Sequence, residues 1–132
     1  MIKYGFTKEI DTPFEEAVEA VSEELKKEGF GILTKIDVKE KFKEKLGIDF
    51  KKYVILGACN PPSAHEAILA EENIGLLLPC NVIVYERENK TVISIIKPTV
   101  AMEVVDNEEL KQIAEKVEIK LRIVFDSIKG RQ

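Results

Sequence analysis

The chain has 132 residues, the length of one ordinary domain, and can bury roughly two-thirds of its unfolded surface. Its 24 Asp and Glu outnumber 20 Lys and Arg, for a net charge of −4. That excludes a general nucleic-acid binder, which needs clustered basic residues to displace phosphate counterions. A hydrophobic content of 45% beside 33% charged residues excludes a disordered or fibrous chain.

The segment Ile2–Glu9 carries Ile2, Tyr4 and Phe6 at period two, with Lys3 and Lys8 among the alternates, and predicts a half-buried strand. The start MIKYGFTKEID lacks a basic-then-apolar signal pattern, so a cytoplasmic protein with reduced cysteines is expected. Thr12-Pro13-Phe14-Glu15 then predicts a helix start, with Thr12 as cap, Pro13 as first helical residue and Glu15 closing a capping box. Phe14, Ala17, Val18, Val21 and Leu25 form one apolar stripe, and Gly29 supplies a left-handed stop.

A second strand is predicted over Phe30–Val38. Asp37 with Glu40 caps a lysine-rich helix, Lys39–Leu46, which rests on Phe42 and Leu46 and stops at Gly47. Lys51–Cys59 is apolar at nearly every position after Tyr53, the pattern of a central strand covered on both faces. Asn60 caps and Pro61 opens a third helix, packed through Ala64, Ala67 and Ile68 and finished near Asn73. Leu76–Pro79 leads into a strand over Cys80–Glu86, a polar turn, and a hairpin partner over Thr91–Lys97. Asp106 with Glu109 starts the last helix, whose stripe runs from Leu110 through Ile113, Ala114, Val117, Leu121, Val124 and Phe125 to Ile128.

The order β-α-β-α-β-α-β-β-α describes a single α+β domain over residues 1–132. The expected architecture is a two-layer α/β sandwich, a mixed and mostly antiparallel sheet covered by helices. The apolar runs Tyr53–Cys59 and Ile74–Tyr85 are too short to span a bilayer, so no membrane partner is expected. A surface dominated by lysine and glutamate is a style of heat-tolerant proteins.

Chemistry concentrates between Tyr53 and Tyr85, which hold both cysteines, the single histidine and three of the five prolines. Cys59 precedes a capped helix, where backbone donors favour an anion and a reactive thiolate. It also sits with Ala64 at the two positions that pack together at a helix entry, which makes it a small packing residue. Whether Cys80 meets Cys59 depends on topology: antiparallel neighbours bring them together and a parallel crossover separates them. Cys59, His65 and Cys80 would form a soft metal set, although no paired spacing supports one. The chain has no G-x-S-x-G elbow, and Gly29-Phe30-Gly31 enters a strand where a phosphate loop would leave one.

The segments Gly57-Ala58-Cys59-Asn60-Pro61 and Gly75-Leu76-Leu77-Leu78-Pro79-Cys80-Asn81-Val82 resemble the signature of the bacterial and archaeal domain-of-unknown-function family 302. The resemblance covers nearly the whole chain. It implies a compact α+β fold that forms homodimers, with no assigned reaction, and marks Cys59, Asn60, Pro61, Pro79, Cys80 and Asn81 as signature positions. The apolar strand Val92–Ile96 and the long closing stripe also offer surface for a second subunit.

The leading expectation is a homodimeric small-ligand-binding or regulatory domain. Its pocket gathers Cys59, Asn60, Pro61, His65, Pro79, Cys80 and Asn81 around a small anionic ligand at the helix start. The alternative is a thiol-dependent enzyme or a redox or metal-handling protein using Cys59, Cys80 or both. A third reading makes the signature wholly structural.

Overall fold

The computed structural model describes residues 2–129. Five strands form one sheet: β1 (Gly5–Ile10), β2 (Gly31–Asp37), β3 (Tyr53–Cys59), β4 (Cys80–Arg87) and β5 (Lys90–Ile96). Their spatial order is β1-β5-β4-β3-β2, and every pair is antiparallel. The α+β fold is as expected, and the sheet, expected to be mostly antiparallel, is wholly so among the described residues. The helices are α1 (Phe14–Lys27), α2 (Val38–Leu46), α3 (Pro61–Ala70), a short α4 (Pro98–Ala101) and α5 (Glu108–Ser127). No described helix is long and apolar enough to cross a membrane.

The core forms where two periodicities meet. Ala17, Val18, Val21 and Leu25 line one side of α1. Leu110, Ile113, Ala114, Val117, Leu121 and Val124 line one side of α5. Both stripes join Val54, Leu56, Val82, Val84, Ile93 and Ile95, the alternate residues of the three inner strands, in one buried cluster. Lys8 is two residues on from Phe6 and shares this face, against its expected place among the outward alternates. Its Nζ donates to the carbonyls of Phe125 at 2.6 Å and Ile128 at 2.5 Å, and burial lowers its pKa. A cation on the last carbonyls of α5 answers the negative end of that helix.

Several expected ends move for local reasons. Pro13 itself is the N-cap of α1, without a side-chain bond, while the Thr12 carbonyl accepts from Thr91 Oγ1 at 2.7 Å. Asn107 replaces Asp106 as cap of α5. Its Oδ1 accepts from Leu110 N–H, and its amide nitrogen donates to Ala70 O at 2.9 Å, tying α5 to the end of α3. Gly29, at φ +84°, closes α1 as expected, with Phe30 N–H returning to Leu25 O.

The β2–α2 arm departs most from expectation. Asp37 caps α2 through Glu40 N–H and Gly47 ends it, but α2 buries no residue. Phe42 packs edge-on against Phe50 at 5.1 Å, and Leu46 stays 64% exposed where it was expected to anchor the helix. β3 is an inner strand but is not covered on both faces. Val54, Leu56 and Ala58 are buried, while Tyr53 and Ile55 remain half-buried beside Tyr85 and Ile83 on the other face.

Candidate functional site

The two signature segments meet at one end of the sheet. β3 and β4 pair antiparallel, with Gly57 opposite Asn81 and Ala58 opposite Cys80. Cys59 therefore lies one position beyond the partner of Cys80, and the parallel crossover does not occur. Gly57 permits this closeness. A Cβ there would collide with Thr34 Oγ1 and stand 2.7 Å from Pro79 Cγ, so the two signatures interlock through a missing side chain. The peptide bond before Pro79 is cis.

Asn60 is spent on structure. Its Oδ1 accepts the Ser63 N–H at 3.3 Å, and its amide nitrogen donates to Glu28 O at 3.4 Å. The first bond caps α3 and the second ties it to the loop after α1. Such burial of a polar side chain is tolerable because both its ends are bonded.

A cavity of about 300 Å³ opens beside this junction. Ala58, Cys59 and Asn60 form one wall, Ala64, Ala67 and Ile68 of α3 a second, and Ile113, Ala114 and Val117 of α5 a third. Leu78, Pro79, Cys80, Pro98 and Met102 close it. Leu33 joins the rim by a separate device. The β2–β3 register slips between Ile32 and Thr34, leaving Leu33 as the extra residue of a bulge, and it stands 66% exposed at the cavity. The Ser63 hydroxyl, the Asn60 amide and the two thiols are the polar groups on an otherwise apolar wall. Small side chains on three elements hold the space open: alanines at 58, 64, 67 and 114 stand where larger residues would fill it.

Of the expected site residues, the cavity brings together Cys59, Asn60, Pro79 and Cys80. Pro61 and His65 are exposed on α3, and Asn81 is exposed on β4; none of them lines the cavity. The set Cys59, His65 and Cys80 does not assemble. Among the described residues, no group of three or more His, Cys, Asp or Glu is placed to hold a metal ion. Leu33, Met102 and the α5 residues were missed, because a bulge and packing residues remote in sequence carry no local signature.

Burial, helped to a lesser degree by neighbouring Cys59, pushes the Cys80 thiol up to about 11. A thiol so held is neutral near pH 7 and a poor nucleophile. Both cysteines are free.

The family described as "Domain of unknown function DUF302" matches residues 6–128. The chain is also similar to a solved structure, "Crystal structure of uncharacterized conserved protein DUF302 from Bacillus stearothermophilus". The two share 36% sequence identity and superpose with a TM-score of 0.87, covering 95% of this chain and 98% of that one. No curated protein matches the chain. A family match across nearly the whole sequence and a solved relative of the same fold carry one conclusion: the chain belongs to the DUF302 family.

Proposed function

We propose that the protein is a small-ligand-binding domain whose ligand is a compact, largely apolar molecule held in the cavity between β3, α3 and α5. The observation that carries this reading is a void of about 300 Å³ with apolar walls, built from both signature segments. It falls at the small end of ligand-pocket sizes, and a half-open cleft with apolar walls suits an apolar guest. The ligand is uncharged in this reading, because the helix start expected to attract an anion is already capped by Asn60. Binding is favoured over thiol catalysis, since Cys80 is held as the neutral thiol and no His, Asp, Glu or Lys lines the cavity to activate Cys59.

We assign the second subunit to the sheet face opposite α1 and α5. Of Val92–Ile96 and the α5 stripe, the grounds for a dimer in the sequence, all but Ile96 and Phe125 are buried within the chain, and those two are half-buried. The face with the stacked pair Tyr53 and Tyr85, their rings 5.1 Å apart, and Ile55 and Ile83 carries half-buried apolar side chains that a copy would cover further. Light scattering at micromolar concentration then gives a dimer, and a monomer there removes this part of the reading.

The binding test is a thermal-shift series with neutral aromatic and short aliphatic fragments, run on the wild type and on Ala114→Leu. Ala114 is 2% exposed on the cavity wall, so leucine occupies the void. Stabilisation of the wild type and none of the variant supports the reading. Equal responses of the two proteins reject it.

A further inference from the structure

On the other side of Pro79 from the cavity lies a groove of about 270 Å³. Leu78, Pro79, Cys80, Pro98 and Met102 line both, so these residues form the wall between the two spaces. The groove turns around the end of the sheet. Strand alternation directs Cys80 to the helix side with buried Val82 and Val84, and Asn81 to the opposite face with Ile83 and Tyr85. Both Cys80 and Asn81 border the groove. The two asparagines of the signature segments differ in one respect. Asn60 has both ends of its amide bonded, whereas the exposed Asn81 side chain has no hydrogen-bond partner among the described residues.

We propose that one ligand occupies both spaces: an unbranched, uncharged amphiphile whose hydrocarbon tail lies in the cavity and whose head, an alcohol or a primary amide, hydrogen-bonds Asn81. This rests on the binding reading above and adds a polar end to its apolar guest.

Charge and shape select this class. No charged side chain lines either space, so a carboxylate or phosphate head would lose water without gaining a counter-charge. The Asn81 amide offers both an acceptor and donors, the complement of an alcohol or an amide. Besides the Cys80 thiol, it is the polar side chain on the groove. The wall between the spaces favours a chain over a ring. Its flexible member is Met102, 7% exposed, an unbranched side chain that adapts to irregular space. Beyond the wall, Leu76 stands 87% exposed on the groove and supplies apolar contact for the methylenes nearest the head. Burying each of them adds affinity in proportion to the area covered.

The test is calorimetric titration of the straight-chain alcohols from butanol to decanol into the wild type, Asn81→Leu and Ala101→Phe. Ala101 lines the groove and not the cavity, so phenylalanine there fills the groove alone. In the wild type each added methylene is expected to tighten binding about threefold to fourfold. That gain continues past the chain length at which it stops in Ala101→Phe, while butanol binds both proteins equally. Asn81→Leu, a change at an exposed position, weakens decanol about fivefold and leaves butanol unchanged. Octanoate binds at least roughly tenfold more weakly than octanol. Circular dichroism and melting confirm that each variant is folded, and Asn81→Leu decides the matter if Ala101→Phe is not. A gain that stops at the same length in wild type and Ala101→Phe, undiminished decanol affinity in Asn81→Leu, or octanoate equal to octanol overturns the proposal. Short alcohols that bind while long ones gain nothing overturn it alone; no binding by any alcohol removes the cavity reading as well.

Discussion

The two ends of the helical layer obey opposite packing rules. Under α5, around Leu121 and Val124, large side chains from helix and sheet interdigitate: Leu121, Val84 and Ile93 are each fully enclosed. One turn and more towards the start of the same helix, beside Ala114, the facing residues are Ala58, Ala64 and Ala67, and a void remains. The stripe on α5 is continuous, so its apolar character does not distinguish the two ends. Side-chain volume does. The family signature lies at the hollow end, and the filled end is what lets the fold tolerate it.

That contrast is broken most sharply by truncating the filled end. Leu121→Ala is expected to cost about 2–5 kcal/mol in denaturant unfolding, because the site cannot collapse around the loss. A cost under 1 kcal/mol would show the two ends to be equally loose.

The hollow end has a pH signature. Cys80 titrates near 11 when folded and near 9.0 when unfolded, so the folded state holds the proton more tightly. Its contribution, at most roughly 3 kcal/mol, is complete below pH 9 and is lost as the pH climbs to 11. Stability curves of the wild type and Cys80→Ala should therefore converge over that window, and parallel curves would refute the burial of the thiol.

Gly57→Ala addresses the interlock. With Thr34 and Pro79 already occupying the place of a Cβ, the variant is expected to lose about 1–3 kcal/mol and shift the β2 and Pro79 resonances together. A neutral substitution would mean that the two signatures do not lean on each other. The smallest effect is at the cap: Asn60→Ala costs roughly 1 kcal/mol, and Asn60→Asp recovers most of it by keeping the acceptor for Ser63 N–H. Equal losses in both variants would transfer the role to the Glu28 bond.

What the sequence disclosed follows the same division. Signals carried within a few residues were legible: the α1 and α5 stripes, the Asp37 and Asn60 caps, the stops at Gly29 and Gly47, and the hairpin of β4 and β5. The α5 cap was missed by one residue because Asp106 and Asn107 are both good caps, and only the bond from Asn107 to Ala70 chooses between them. Strand direction was not legible, since a ten-residue helix between β3 and β4 suits either a parallel or an antiparallel return. Four of the seven expected site residues line the cavity because element ends converge there. His65 fails because helical rotation turns it outward, and Met102 was invisible because nothing around it in sequence refers to Cys80.

The central claim is that the signature end holds a real apolar cleft. A crystal structure under xenon pressure tests it most directly, since xenon enters dry apolar cavities without needing a specific partner. The account predicts one xenon site against Ala58, Ala67 and Ala114 in the wild type, and none in Ala114→Leu. An empty cavity in the wild type, or ordered water hydrogen-bonded through that space, would contradict it.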